Sequence, residues 1–462
     1  MHTKPCFGRA FFLGCLFTMP SVPHNVDCVI EARWVIPVEP SRAVFEHHAV
    51  VIDDGAIVEI MPRAAVSGRY EPRSHIELPD HALIPGLVNL HTHAAMTLMR
   101  GLADDTALME WLQKHIWPTE MKLVSPQFVH DGTLLACAEM LRGGITCFND
   151  MYFFPEAAAQ AVLSAGLRAA LGMIVVEFRS PYASDAADYL DKGLRLRDSM
   201  RDEPRLSFCI APHAPFTVSD VTFDKVATYA GELDVPVHIH LHETAEEIRD
   251  SVGAHNLRPL RRLQKLGLLG PGLIAVHAVH LAEDEVALLA EHGCHVAHCP
   301  SSNLKLASGI APVSQLKRHG INVGLGTDGA ASNNRLDIFA EMRLAALLAK
   351  GASGDPTALP AHEVLEMATL NGARALGLDR QIGSLTKGKR ADLVAVSLTA
   401  PELLPCYDPL SHLTYASGRE HVSHVWVDGE LLVENGVLTR LDARHLAAKA
   451  AHWKERIADR GS

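Results

Sequence analysis

Two histidines, one residue apart, end an apolar segment of the chain. They are His91 and His93, in the stretch PGLVNLHTHAAMTLMRGLADD. Successive side chains of a β-strand point to opposite faces, so these two imidazoles point to the same side. Imidazole nitrogens are good ligands for Zn²⁺ and Fe²⁺, and one rigid strand supplies two of them. The spacing therefore predicts part of a metal site.

Further histidines and carboxylates follow later apolar segments, where strands are expected to end. They are His213, His240, Glu243, His277 and Asp328. Each one alone is most simply a packed or capping residue, but their recurrence at strand ends favours a shared site. We expect His240 and Asp328 to join the first two histidines around one ion per subunit, with Zn²⁺ preferred and Fe²⁺ as the alternative.

The segments that carry these residues alternate between apolar strand candidates and helix-like patterns. Eight strand candidates run from ALIPGLVNLHTH to INVGLGTDG, and helix-like sequence lies between them. This order predicts an α/β fold, a (β/α)8 TIM barrel over about 85–375, in which active-site residues lie at the C-terminal ends of the strands. An open, doubly wound sheet is the competing fold, and the count of eight favours the barrel.

The two ends of the chain have a different residue pattern from the middle. Short β-rich runs over 26–84 and 380–445 predict one small β-sandwich domain assembled from both termini, and a helix over 446–462 is expected to follow. Residues 1–18 are interpreted as an N-terminal extension, with translation starting at Met19. No segment reaches the roughly 20 apolar residues of a membrane span, so no membrane partner is expected.

Composition limits the class of partner. A formal charge of −12 and the lack of a Lys/Arg run argue against a nucleic-acid partner. The nine cysteines form no CxxC pair, which fits a reducing, cytoplasmic location better than secretion. We expect a small-molecule substrate and a homo-oligomer.

The motifs around the candidate residues resemble the amidohydrolase superfamily. The HTH pair, HIHLHET, VHAVHL and GLGTDGAASNN carry the likeness, which covers nearly the whole chain. Within the superfamily, the chain is similar to the 5′-methylthioadenosine/S-adenosylhomocysteine deaminases in the stretches HTHAAMTLMRGLADDTALMEWLQKHIWPTE, APHAPF, SNLKLASGIAPV and GTDGAASNNRLDIFAEMRLAALL. The resemblance implies metal-dependent hydrolysis of a C–N bond in the adenine ring of a nucleoside, which gives the inosine analogue and ammonia.

The residue types agree with hydrolytic deamination. A metal ion lowers the pKa of a bound water toward neutrality, and Glu243 is close enough to the ligand His240 to carry a proton to a ring nitrogen. His277 is expected to orient the water or to stabilise the tetrahedral adduct, and Asp328 to accept the water's proton. The third and fourth strands have no suitable lysine to bridge a second metal, and Glu177 is the one loose candidate, so a single metal is predicted.

The substrate contacts come from the resemblance. Glu120 matches the family position whose carboxylate binds the ribose hydroxyls, and its alternative role is a solvated helix end. His213 matches a residue near the base or the ribose, and its alternative role is to orient a neighbour. Met173 stands where some relatives have an arginine that reaches the substrate, with Arg179 nearby, and this departure favours methylthioadenosine over S-adenosylhomocysteine. His298 either supports the site or packs in the core.

Two other functions are open at this point. The same site could act on a free base, such as guanine, 8-oxoguanine or cytosine, or on a triazine. Neither kind of substrate has a ribose diol for Glu120 to bind. A non-catalytic barrel that serves as a scaffold is the alternative from another class. The intact ligand set and Glu243 argue against that scaffold.

Overall fold

The computed structural model describes Met1 and residues 23–458 of the chain. The predicted extension over 1–18 therefore lies, apart from Met1, outside the described residues. The strands form two eight-stranded sheets, one a barrel and one built from both ends of the chain. In chain order the strands are β1 (His24–Val35), β2 (Phe45–Asp53), β3 (Ala56–Pro62), β4 (Tyr70–Pro85), β5 (Leu87–Thr92), β6 (Ile145–Asp150), β7 (Arg168–Val175), β8 (Leu206–Pro212), β9 (Val237–Leu241), β10 (Leu273–His277), β11 (His295–His298), β12 (Asn322–Leu325), β13 (Leu393–Ser397), β14 (Val422–Val427), β15 (Glu430–Glu434) and β16 (Val437–Leu438).

Helices lie mainly between the barrel strands. No helix among the described residues is both long enough and apolar enough to cross a membrane. In chain order the α-helices are α1 (Leu108–Trp111), α2 (Trp117–Leu123), α3 (Pro126–Arg142), α4 (Pro155–Ala165), α5 (Ala186–Met200), α6 (Asp220–Leu233), α7 (Ala245–His255), α8 (Pro259–Lys265), α9 (Glu283–Glu291), α10 (Pro300–Lys305), α11 (Val313–Arg318), α12 (Ala330–Asn333), α13 (Ile338–Ser353), α14 (Ala361–Met367), α15 (Leu370–Ala375), α16 (Pro409–Tyr415) and α17 (Ala443–Ala458).

The parallel sheet runs from β5 to β12 in sequence order and closes on itself. Every residue of β5, β6 and β7 is buried, as expected for parallel strands that are covered on both faces. At the seam between the first and last strands, Asn89 Nδ2 donates to Thr327 Oγ1 at 2.7 Å. The backbone N–H of Asp328 donates to the carbonyl of His91 at 2.9 Å. The predicted barrel is therefore confirmed, and the doubly wound alternative is wrong.

The second sheet joins the two ends of the chain, as predicted. Its strand order is β16-β15-β14-β13-β4-β1-β2-β3, and β4 and β13 meet in antiparallel register with Leu393 opposite Pro85. Ile30 and Val50 from the first part share one buried cluster with Leu393 and Trp426 from the second part. Neither part can bury its apolar face without the other, because a sheet needs a packed partner on that face.

An ion-pair network connects this sheet to the barrel. Arg168, at the start of β7, is buried and lies 3.2 Å from Asp392 and 2.7 Å from Asp428. Arg205, just before β8, lies 2.9 Å from the other oxygen of Asp428. Buried charges are tolerated when they are paired in this way. The network fixes the terminal sheet at the N-terminal ends of the barrel strands.

The last described helix, α17, docks on α3. The Trp453 ring packs edge-on against Phe128 at 5.0 Å, and its Nε1–H donates to Asp131 at 3.0 Å. Lys449 adds a second contact to Asp131 at 2.6 Å. Burial acts to raise the pKa of Asp131, but these donors outweigh it and lower the pKa to about 2. Helix α3 also packs against residues 94–99, which follow the histidine pair.

We predict that Trp453→Ala lowers the free energy of unfolding by about 3–5 kcal/mol, the usual cost of deleting a buried aromatic side chain. Urea unfolding of the metal-free protein measures it. Lys454 is exposed on the same helix, so Lys454→Ala should change stability by less than about 0.5 kcal/mol. Equal effects from the two substitutions would contradict the docking described here.

Candidate metal centre and active site

The four predicted ligands meet at the C-terminal ends of the barrel strands. His91 lies in β5, His93 follows that strand, His240 lies in β9, and Asp328 follows β12. His91 Nε2 lies 3.2 Å from His240 Nε2. Asp328 Oδ1 lies 3.3 Å from Nε2 of both His91 and His93. Atoms that could bind one ion therefore converge from both sides of the barrel seam and from across the barrel.

These spacings fit a metal ion. Two donors that each lie about 2.1 Å from a tetrahedral ion are about 3.4 Å apart, close to the distances seen here. Three imidazoles and one carboxylate suit Zn²⁺ or Fe²⁺ and leave room for a water. The residues present could therefore hold either metal.

The electrostatics of Asp328 and His240 favour the forms that bind a cation. Burial acts to raise the pKa of Asp328, but hydrogen bonds with His91 and His93 outweigh it and hold the pKa well below its ordinary value. Burial, and then neighbouring imidazoles, hold the pKa of His240 well below its ordinary value. Asp328 is thus a carboxylate and His240 a neutral imidazole at neutral pH. His93 differs, because burial acts to lower its pKa but the hydrogen bond and charge of Asp328 outweigh burial and raise the pKa to about 9.

Backbone carbonyls fix the orientation of two ligand rings. His93 Nδ1 lies 2.6 Å from the carbonyl of Met151, and His240 Nδ1 lies 2.8 Å from the carbonyl of His213. A ring that donates from Nδ1 keeps its Nε2 lone pair for a metal. Both acceptors directly follow barrel strands, β6 and β8.

The third ring, that of His91, has a side-chain partner. His91 Nδ1 lies 2.9 Å from Nε2 of His238, and both residues are fully buried. Sequence reasoning did not single out His238. The signal was present, because His238 and His240 are two residues apart on β9 and therefore point to the same side.

The backbone around Asp328 is specialised. Asp328 has φ of +61°, a left-handed conformation that is strained for a residue with a side chain. Gly329 N–H donates to its Oδ1 at 2.7 Å, and the Ser302 hydroxyl donates to its Oδ2 at 2.6 Å. A Cβ on Gly326 would lie 2.9 Å from the Cβ of His91, so only glycine lets β12 approach the ligand this closely.

Glu243 and His277 lie beside the ligands, Glu243 on the loop after β9 and His277 as the last residue of β10. His277 Nε2 lies 3.8 Å from Glu243 Oε2, and its Nδ1 lies 2.8 Å from Asn303 Oδ1. The backbone N–H of Glu243 donates to Glu247 at 2.8 Å, which fixes the loop. Burial raises the pKa of Glu243. A carboxyl with a raised pKa can take up and deliver a proton near neutral pH.

A cavity of about 710 Å³ opens above the ligands. Its polar lining includes most of the predicted site residues, namely His93, Glu120, His213, His240, Glu243, His277 and Asp328. Much of the remaining lining is apolar and includes Met96, Met109, Trp111, Leu112, Ile116, Trp117 and Phe178. A large, mainly apolar cavity with a few convergent polar groups is typical of a small-molecule site.

Glu120 is buried, unlike the solvated helix end that was its alternative. Its Oε1 accepts from the Tyr152 hydroxyl at 2.8 Å, and burial raises its pKa to about 7. His213 lies 3.2 Å from the Thr217 hydroxyl through its Nδ1, and burial lowers its pKa to about 3. Both side chains face the same cavity as the ligand cluster.

The expectation that Met173 stands at a position that reaches the substrate is wrong. Met173 is buried in β7 and packs against Gly193 of helix α5. The next residue, Ile174, lines the cavity instead. Alternation along the strand explains the difference, because neighbouring side chains face opposite sides. Arg179 is exposed and is not part of the described cavity lining.

Two further candidates are not among the side chains whose atoms converge on the candidate metal site, although Glu177 lines the same cavity. Glu177 is exposed and accepts from the backbone N–H of Ser219 at 2.9 Å. His298 is buried at the end of β11, and its Nδ1 has no hydrogen-bond partner among the described residues. Sequence reasoning also missed Asp150, which ends β6 and accepts from Ala94 N–H at 2.7 Å, directly after His93. Its place at a strand end was the available signal.

The chain resembles known proteins along most of its length. Residues 82–432 match the model of the amidohydrolase family. Over 431 residues the chain is 49% identical to the 5-methylthioadenosine/S-adenosylhomocysteine deaminase of Saccharophagus degradans, covering 93% of this chain and 97% of that protein. The corresponding deaminase of Thermodesulfovibrio yellowstonii is 41% identical over 434 residues, covering 93% of this chain and 98% of that protein.

Solved structures show the same likeness. The crystal structure of an adenosine deaminase from Xanthomonas campestris with bound zinc matches with a TM-score of 0.94 and 49% identity, covering 95% of this chain and 100% of that one. The zinc complex of atrazine chlorohydrolase from Arthrobacter aurescens matches with a TM-score of 0.84 and 25% identity, covering 92% of this chain and 99% of that one.

We predict that His240→Ala removes the bound metal, because it deletes one of the converging nitrogens. Elemental analysis of the purified protein measures the metal content. His295 is buried at the other end of a barrel strand, so His295→Ala should keep its metal. Stoichiometric metal in the His240→Ala protein would rule out this ligand assignment.

Proposed function

The chain belongs to the amidohydrolase family, and we propose that it is a zinc-dependent deaminase of 5′-methylthioadenosine and S-adenosylhomocysteine. The reaction adds water to the amino-bearing carbon of the adenine ring and releases ammonia, leaving the inosine analogue. One observation carries the proposal: the buried carboxyl of Glu120 shares a cavity with the ligand cluster and Glu243. Such a cavity offers groups for a ribose diol and for the chemistry on the base.

The proposed proton shuttle is Glu243. A zinc ion held by His91, His93, His240 and Asp328 would lower the pKa of a water toward neutrality and so supply the nucleophile. Glu243 delivers a proton to the ring nitrogen next to the reacting carbon, which makes that carbon more electrophilic. Its raised pKa and its largely buried position support this role.

His277 and Asp328 would act on the other side of the reacting carbon. Asn303 accepts from His277 Nδ1, so Nε2 faces the site, where it can accept a hydrogen bond from the attacking water or, when protonated, donate one to the developing adduct. Asp328 is ionised and can accept a proton from the attacking water. The proton that Asp328 takes from the water then passes to the amino group, because ammonia leaves far more readily than an amide ion. As ammonia leaves, the hydroxyl of the adduct returns a proton to Glu243.

Glu120 is proposed to bind the two ribose hydroxyls. Tyr152 occupies one of its oxygens, and the residue lines the cavity. A buried carboxyl needs donors to offset the loss of solvation, and a vicinal diol supplies two. A free base or a triazine lacks that diol, which argues against these alternatives. Family membership and the assembled site argue against a non-catalytic scaffold.

The cavity favours an apolar 5′-group. In the part of the chain that the structure describes, Arg262 is the one arginine or lysine among the lining residues. It is already bound to Asp220 at 2.7 Å and to the backbone carbonyls of Pro215 and Val218. No unpaired arginine or lysine of the described lining is therefore offered to the carboxylate of homocysteine, and methylthioadenosine is proposed as the preferred substrate.

The proposed setting is the cytoplasm. Six buried free cysteines among the described residues suit a reducing compartment, where thiols stay reduced. The homo-oligomer stays a prediction.

We predict that Glu243→Gln keeps bound metal and substrate affinity while kcat falls by at least about 10²-fold, the usual effect of losing a general acid–base. Ammonia release gives kcat, and elemental analysis gives the metal content. Glu246 is exposed on the next turn, and Glu246→Gln should leave kcat unchanged. Near-normal turnover by the Glu243→Gln protein would remove Glu243 from the mechanism.

We predict that Glu120→Ala lowers kcat/KM for methylthioadenosine by roughly 1.5 to 3 decades. Two hydrogen bonds to a charged group contribute about 2–4 kcal/mol, which corresponds to that loss. The 2′,3′-dideoxy analogue should be a poor substrate for the wild type. The Glu120→Ala protein should no longer distinguish it from methylthioadenosine. Removing the carboxyl and removing the ribose hydroxyls delete the same hydrogen bonds, so the two effects should not add.

The substrate panel contains methylthioadenosine, S-adenosylhomocysteine, adenosine, guanine and cytosine. Methylthioadenosine is expected to give the highest kcat/KM. Faster release of ammonia from guanine or cytosine, or no discrimination against the dideoxy analogue, would replace the nucleoside proposal with a base deaminase.

A further inference from the structure

Of the three imidazoles that converge on the metal centre, His91 is the one whose second nitrogen meets another side chain. We propose that His238 is a positioning residue that fixes the ring orientation and the tautomer of His91 for metal binding. This role rests on the proposed metal centre and adds a residue that does not itself touch the metal or the substrate.

The contact is close and free of solvent. His91 Nδ1 and His238 Nε2 are 2.9 Å apart, and both side chains are 0% exposed. The rings are 4.9 Å apart between centroids and inclined by 74°, so they meet edge-on and do not stack. Such an arrangement directs a nitrogen of one ring at a nitrogen of the other, as a hydrogen bond requires.

The direction of the hydrogen bond follows from the ligand role of His91. Its Nε2 faces His240 and Asp328, so a metal there would take the Nε2 lone pair and the ring proton would lie on Nδ1. His238 Nε2 must then be the acceptor. The proton of His238 lies on Nδ1, which has no hydrogen-bond partner among the described residues. A doubly protonated His238 could not accept, so the neutral ring is the working form.

The other two ligand rings need no side-chain acceptor, because each already has a backbone one. His93 and His240 donate to the carbonyls of Met151 and His213, which any residue at those positions would provide. His238 can be removed by a point substitution without changing the backbone. It also adds no negative charge to the centre, unlike the carboxylates that often accept from ligand histidines.

Two variants separate the hydrogen bond from the volume of the ring. In His238→Gln, the amide oxygen lies three bonds from Cβ, as Nε2 does in histidine, and keeps an acceptor in place. In His238→Met, a chain of similar length carries only a thioether, which is a weak acceptor. Competition of Zn²⁺ with a chelator measures the dissociation constant of the metal. We expect the Met variant to bind Zn²⁺ about 10–100-fold more weakly and the Gln variant to stay within about threefold of wild type.

The control is His295→Met, the same change at a buried strand histidine that lies away from the ligands. It should bind Zn²⁺ as the wild type does. If His238→Met does not fold, His238→Asn replaces it, because its amide is one bond too short to reach His91. Thermal unfolding of each metal-free protein tests folding.

The possible results distinguish a failure of the His238 role from a failure of the metal centre or of the proposed function. Equal weakening in the Gln variant and in the Met (or Asn) variant, or no weakening in either, overturns the role of His238. Absence of stoichiometric Zn²⁺ from the wild type overturns the metal centre itself and with it this role. Retained Zn²⁺ with no ammonia release from any substrate in the panel overturns the proposed function but leaves the role of His238 intact.

Discussion

The hydrogen bond from the Asp328 N–H to the carbonyl of His91 is the contact on which the rest of the site depends. It closes the barrel between its first and last strands. It also joins two proposed ligand residues that are far apart in the sequence. Any loosening of the barrel at this seam would therefore separate Asp328 from His91 and His93, and the structure surrounds the seam with further restraints.

Those restraints come from several layers. Asn89 and Thr327 pair just below the ligands, and Ser302 holds the second oxygen of Asp328. Helix α3, with α17 docked on it, presses on the residues that follow His93. At the opposite end of the barrel, Arg168 ties β7 to the terminal sheet. Although the terminal sheet provides none of the ligands, it stabilises the scaffold that does.

The parts of this arrangement that depend on residue type and on the two-residue repeat of a strand could be predicted from the sequence. Strand alternation placed His91 and His93 on one face, and the barrel topology placed His240 and Asp328 at the same rim. The carbonyls of Met151 and His213 could not be foreseen, because every residue has a carbonyl and only the folded chain shows which one meets an imidazole. Met173 does not reach the cavity because its side chain points from β7 toward helix α5, a direction that likeness to a family position does not reveal.

The close approach at Gly326 bears on how this chain can vary. Any side chain there would meet His91 within 3 Å, so random mutation has almost no acceptable outcome at that position. The helical segment over 108–123 is different. It provides much of the apolar cavity wall and none of the proposed metal ligands. Substitutions in that segment can therefore alter which molecules fit the cavity, while the proposed metal ligands on the strands stay unchanged. The barrel thus separates a reaction centre that tolerates little substitution at Gly326 from a cavity wall whose apolar residues can change without touching the proposed metal ligands.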